Sequence, residues 1–427
     1  MRKRIFLLPL IALGFGLNAQ SMGNSPYATF GIGEVKYDNS VETSAMGGIN
    51  TAYIWDFNNS FNFKNPAANA NLELTSLRVQ ATNENQFFKT DYNNMDVTKR
   101  STYLSNISIA FPISKKLKFG FGYQPYSSKK YDIITREEIA EGTSSVIKAN
   151  HFQGLGTLNT VQAAFGYNIT PTFALGIRSN FYFGKLSDIE ELAFSNAALI
   201  NGFETSTKIK SFNFTLGSTY QKKLKNDKRL TVGATYTFGT TGNLNTTYVN
   251  STYYYAGEVK DNYTEIEKKT SADKNLIPVE ASLGLGYGHD AKWFVSTQID
   301  YKKGSTTDFL GTPFVYKDSY RLAAGGWYLP NYNDFRNYFN RVVYRYGVFY
   351  EKGNLNINGK NINQYGLTVG ATLPFQKSNV VNMSGLDLGI EFGRKGTLQN
   401  NLILQNFVNF KVGINFSDKW FRKNEYY

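Results

Sequence analysis

Apolar and polar residues alternate along most of the chain. Val408, Phe410, Val412, Ile414 and Phe416 are separated by Asn409, Lys411, Gly413 and Asn415. Val279, Ala281, Leu283, Leu285 and Tyr287 alternate with Glu280, Ser282, Gly284 and Gly286. Leu386, Leu388, Ile390 and Phe392 alternate with Asp387, Gly389, Glu391 and Gly393. A strand sends successive side chains to opposite faces, so each segment has one oily face and one polar or small face. A soluble sandwich alternates too, but its strands average only about five or six residues. These run to about 10 to 15. In a membrane the backbone has no water to bond, so a sheet must close on itself. The pattern predicts an all-β fold: a transmembrane antiparallel β-barrel with lipid outside and polar residues inside.

Fourteen segments fit: 71–89, 102–113, 117–131, 155–169, 172–186, 207–222, 228–242, 276–289, 292–303, 317–328, 341–352, 362–374, 385–396 and 403–416. Connections alternate between short, as at Pro112–Lys116, and long, as at Asp132–Gly154, Leu186–Ser206 and Thr240–Asn275. Short turns belong to the periplasmic side and long loops to the outside, which puts both ends of the barrel in the periplasm. The barrel is expected over 71–416, with a periplasmic aromatic and basic tail over 417–427. In that tail Trp420 and Phe421 suit the headgroup level. Phe410, Gly413 and Phe416, closing the last strand, are the candidate assembly signal for the barrel-assembly machinery.

The N-terminus supplies the compartment. Arg2, Lys3 and Arg4 precede an apolar run from Ile5 to Leu17, then Leu17-Asn18-Ala19. This reads as a signal peptide over 1–19, and the run is too short to span a bilayer. Cys is absent, which excludes disulfides, thiolate metal sites and a lipid-modified N-terminal cysteine. The net charge of +13 suits anionic surfaces such as outer-membrane lipid and lipopolysaccharide. Nucleic acid is not an expected partner of an exported barrel.

Residues 20–70 precede the barrel and lack its alternation. They contain "SAMGGINTAYIWDFNNSFNFKNPAANANL". Asn65 is a candidate helix cap with Pro66 at the first position, and Ala67 favours a short helix after it. A fourteen-stranded barrel has a lumen wide enough for a plug, and this segment is the natural one. Gly47, Gly48 and Ala45 are small enough to pack against inward-facing glycines. The segment resembles the N-terminal section of the FadL-like outer-membrane transporters through Ala45, Gly47, Gly48, Ala52, Asn65, Pro66 and Ala67. The resemblance implies a fourteen-stranded barrel with an N-terminal hatch. It also implies diffusion of long-chain fatty acids or other hydrophobic molecules across the outer membrane.

The strand registers put Arg178, Tyr182, Glu280, Phe294, Arg345, Phe349, Asp387, Glu391 and Lys411 on the lumen face. Tyr182, Phe294 and Phe349 suit an apolar ligand. Arg178, Arg345 and Lys411 suit a carboxylate or phosphate, or else pair with lumen acids such as Glu280 and Glu391. The chain has two histidines, His151 and His289, assigned to opposite ends of the barrel. A nucleophile activated by histidine is therefore not expected, nor is any cofactor or metal. Two functions fit. One is passive uptake of a hydrophobic small molecule. The other is a non-transporting barrel that serves as a structural subunit of an outer-membrane secretion or protein-assembly complex, with other outer-membrane proteins or lipoproteins as partners.

Overall fold

The computed structural model describes residues 23, 25–36, 40–54, 60–91, 96–141, 144–240, 242–273, 277–309, 312–334, 336–375 and 384–420. The expected signal peptide and Phe421 lie outside the described residues. Barrel strands β1 to β7 are Thr75–Lys89, Asp96–Pro112, Leu117–Ser128, Ser144–Asn168, Phe173–Phe194, Ile200–Lys223 and Lys228–Thr237. Strands β8 to β14 are Glu280–His289, Trp293–Lys302, Ser319–Tyr328, Val343–Lys352, Gln364–Pro374, Gly385–Gly396 and Leu404–Asp418. Each pairs antiparallel with the next, and β1 pairs with β14 from Thr75↔Asp418 to Lys89↔Leu404. The fourteen strands thus form a closed ring, as a strand-built membrane protein requires. Among the described residues no helix is long and apolar enough to cross a membrane.

Burial follows the alternation. On β14 Phe410, Val412 and Phe416 are exposed, while Lys411 and Asn415 are buried. On β9 Val295 and Ile299 face out, while Ser296 and Gln298 are buried. The apolar rows meet lipid and the polar rows meet the lumen. Short turns close the periplasmic side. Asn226 and Asp227, both in the left-handed region (φ 57 and 52), form the tight β6–β7 turn.

The outer side differs from the loops expected there. β4, β5 and β6 hold 25, 22 and 24 residues and run well past the membrane. A strand at Tyr131–Glu141 pairs with the outer part of β4. A hairpin, Asn243–Ala256 with Val259–Asp273, pairs with β6. His151 therefore sits on a strand and not in a loop. On the strand Tyr131–Glu141 residues 134–140 are exposed on both faces, so the apolar–polar contrast that marks the lower half fades.

Among the described residues the wall has a discontinuity between β2 and β3. β2 pairs with β3 only over Ile107–Pro112, opposite Lys118–Tyr123. β3 continues along β4, with a register shift between Pro125 and Ser127. Proline has no N–H to give to a ladder, so pairing fails there and the strand bends. The edge of β3 that β2 leaves is taken at Ser127 and Ser128 by the short strand Glu34–Val35.

Candidate functional site

The lumen is where the N-terminal segment meets the barrel, and the sequence is built for contact there. Inward glycines leave the backbone bare. A Cβ on Gly347 would lie 2.2 Å from the Met46 carbonyl carbon, and one on Gly233 would lie 1.9 Å from the Thr51 oxygen. Gly370 abuts Ala45, Gly284 abuts Ala52, and Gly176 abuts Pro66. Gly47 itself adopts φ 72 against Val348, a conformation that favours glycine.

Polar side chains of the wall then bond to the segment's backbone. Thr368 Oγ1 accepts from Gly47 N at 2.8 Å, and Arg321 donates to Gly47 O at 2.8 Å. Gln298 Oε1 accepts from both Asn50 N and Thr51 N, at 2.8 and 2.9 Å. The Trp327 indole donates to Ile54 O at 3.1 Å. Arg178 donates to Phe63 O at 2.6 Å and to Thr215 Oγ1 at 2.9 Å. Around these bonds Met46, Ile49, Tyr53 and Ile54 pack on Phe294, Trp327 and Phe349.

The Asn65-Pro66-Ala67 stretch is a turn and not the expected helix. Asn65 Oδ1 accepts from Ala67 N at 3.1 Å, as a cap does. Asn69 then donates to Pro66 O and Asn62 O, both at 3.0 Å. Its side chain competes for the carbonyls that a helix would use. A genuine helix of one turn, Val41–Ser44, lies earlier and is capped by the Ser40 hydroxyl.

Charges fix the first half of the segment. Glu42 pairs with buried Arg78, and its other oxygen accepts from Gln80 at 3.0 Å. Burial pushes the Glu42 carboxyl up, but Arg78 and Arg345 outweigh it and hold the group down at about 2. Glu34 lies between Lys36 at 3.2 Å and Lys395 at 2.7 Å. Its burial is likewise outweighed by the two lysines, which hold it at about 2. Lys36 also reaches Glu84 at 2.7 Å.

What remains of the lumen is a cavity of about 260 Å³. Tyr182, Phe349, Arg178, Glu280, Glu391 and Lys411 border it. Glu280 pairs with Lys302 and Glu391 with Lys411, both at 3.0 Å, and Glu351 with Arg321 at 3.7 Å. Phe294, Arg345 and Asp387 lie outside the cavity lining. Phe294 fills the core beside Trp327 and Tyr53. Arg345 and Asp387 meet on Thr372, whose hydroxyl donates to Asp387 at 2.5 Å. Lys36, Arg78, Glu84, Lys302, Arg321 and Lys395 join the lumen residues expected from sequence. The strand residues among them show the same inward phase as the expected ones. At the other wall face Phe410, Phe416 and Trp420 are exposed, whereas Gly413 faces in against Gln80.

A closed fourteen-stranded outer-membrane barrel with its N-terminal segment bonded to the inner wall is a FadL-like barrel. Solved structures agree. The CymD monoaromatic hydrocarbon channel superposes with a TM-score of 0.56 at 13% identity, over 92% of this chain and 99% of that one. A Pseudomonas aeruginosa FadL homologue gives 0.58 at 13%, over 88% and 98%. The Pseudomonas putida toluene transporter TodX gives 0.58 at 16%, over 90% and 99%. Among curated proteins none matches the sequence. The chain belongs to the BamG family, whose model matches residues 1–427.

Proposed function

We propose that this barrel is a non-transporting, structural subunit of an outer-membrane protein-assembly complex. The observation that carries the reading is the chemistry of the lumen. A pocket for an apolar ligand is lined mainly by apolar and aromatic side chains with a few polar groups. Here the cavity is bordered by ion pairs, including Glu34–Lys395, Lys36–Glu84 and Glu280–Lys302. An apolar molecule entering it gains little and strips water from charges. The N-terminal segment is tied to the wall by backbone-directed bonds from several strands, which favours a permanent plug over a moving gate. Membership of the BamG family, beside only a fold-level likeness to the hydrocarbon channels, agrees with a role other than transport.

The second reading is passive uptake of a hydrophobic small molecule, and it is favoured by the fold shared with the toluene transporter. Native mass spectrometry of the gently extracted, uncross-linked barrel separates the two. A stoichiometric protein companion with an empty lumen is the expected result. A lone barrel carrying an apolar ligand of a few hundred daltons would overturn the proposal in favour of uptake.

A further inference from the structure

The wall between β2 and β3 holds a strand edge that the barrel does not use. Beyond Ile107, residues 97–106 of β2 pair with β1 on one side, and among the described residues no strand pairs with the other side. A row of unpaired N–H and C=O groups at a sheet edge is a template for pairing with another chain. The short strand Glu34–Val35 follows β3 and leaves this edge of β2 open.

The outer face beside that edge is also unusual. Across the register rows Phe410 of β14 lies next to Asn83 of β1 and then Thr102 of β2. The next row runs Val408, Asn85, Arg100. β14 keeps its apolar belt where β1 and β2 lose theirs. Asn83 donates to Thr102 at 2.7 Å, and Asn85 donates to Asn83 at 2.7 Å and to Val408 O at 3.1 Å. Among the described residues the outer sheet strands at Tyr131–Glu141 and Val259–Asp273 also have one unpaired side, but both carry many charges, the usual guard against pairing. Between Ser101 and Asn106 β2 carries no charged residue.

We propose that residues 97–106 of β2 dock one antiparallel β-strand of a partner outer-membrane protein, continuing the barrel sheet laterally. The mode is strand addition: backbone bonds give affinity, and side chains of alternate residues give selectivity. Lys99 at the outer end suits a strand whose facing end is acidic. The proposal rests on the subunit reading and names where the partner binds.

The chain has no cysteine, so single cysteines report cleanly. Thr98→Cys and Thr102→Cys, labelled in intact cells with a benzophenone maleimide, are compared with Leu283→Cys and Leu367→Cys on other wall strands. The expected result is one shared protein adduct from the two edge positions and none from the controls. Cysteines placed in turn along the partner's strand then form disulfides with Thr98→Cys and Thr102→Cys at positions four residues apart in reversed order, the mark of an antiparallel pair. Adducts to lipid alone, equal adducts from Leu283→Cys, or a scattered disulfide pattern would overturn the proposal. If a variant does not fold, amide exchange on the unaltered chain decides instead. The alternate amides of 97–106 that do not bond to β1 are protected in the native complex and exchange in the isolated barrel, and equal exchange in both sinks the idea. A companion found by native mass spectrometry without contact at this edge removes the docking site alone. A lone, ligand-filled barrel removes the subunit reading as well.

Discussion

The side-chain amide of Asn65 donates to the carbonyl of Thr51 at 2.7 Å, joining two stretches of the N-terminal segment inside the barrel. The same amide donates to Ser218 O at 3.2 Å on β6. Asn65 is fully buried and so couples the segment to itself and to the wall at once. A net hydrogen bond contributes about 0.5–1.5 kcal/mol, and a buried carbonyl left unpaired costs about 1–3. Asn65→Ala is predicted to destabilise the barrel with its docked N-terminal segment by about 2–4 kcal/mol on that basis. The drop is read from urea unfolding in lipid, and an unchanged midpoint contradicts it.

Gly347 tests whether the wall is shaped for the segment. Its missing Cβ would fall 2.3 Å from Gly47 N, against backbone that cannot yield cheaply. Gly347→Ala is therefore predicted to lift residues near Met46 from the wall while the strands still close. A Met46→Cys reporter should become reactive to a water-soluble maleimide in Gly347→Ala. It should stay shielded in Gly239→Ala, where an added Cβ has only ordinary contacts at 3.4 Å. Equal shielding in both variants contradicts the prediction.

Acid should loosen the segment through Glu42. Its folded value of about 2 lies below the ordinary 4.5. A depressed carboxylate adds stability above its unfolded value and loses it as pH falls through the folded one. The window is thus from about pH 4.5 down to about 2, and the full contribution is on the order of 3 kcal/mol. Glu42→Gln should weaken the segment at pH 7 by a comparable amount, since Arg78 is left buried without its carboxylate. The gap between variant and parent should close toward pH 2. Amide exchange of residues 40–54 across that range measures both.

Glu191 holds the outer sheet together. It accepts from Tyr253 at 2.6 Å and Tyr255 at 2.5 Å, and it lies 3.2 Å from His151 Nδ1. The three partners come from β4 and from the hairpin beyond β6. Glu191→Ala is predicted to speed exchange of amides 248–255 by about tenfold, the loss of about 1.4 kcal/mol of local protection, with β8 to β11 unchanged. Uniform acceleration throughout the barrel would point to global unfolding instead.

The barrel strands are legible in sequence because lipid imposes the contrast. Val408, Phe410 and Val412 must be oily on one side of Asn409 and Lys411. The same contrast places Arg178, Glu280, Glu391 and Lys411 in the lumen. It does not say which charge meets which. Glu34 and Lys395 are joined only by closure of the ring and entry of the segment, and no local spacing signals that pair. The outer extensions are hidden for the opposite reason. Around Glu137 and Glu138 water lies on both sides, so a strand looks like a loop. Asn65-Pro66-Ala67 misleads as a helix start because the amides of Asn62 and Asn69, several residues away, decide the turn.

The unequal strand lengths give the barrel a direction. β4 has 25 residues, whereas β8 to β11 have 10 each. At about 3.3 Å per residue β4 is about 80 Å long, and crossing the hydrocarbon takes only about 9–11 residues. The β4–β6 side stands above the cell surface as a screen, and the β8–β11 side ends much lower. A protein approaching across the surface is shadowed from one quarter and admitted from another. Turning the barrel about its own axis therefore changes which neighbours can reach it, although its membrane footprint stays the same.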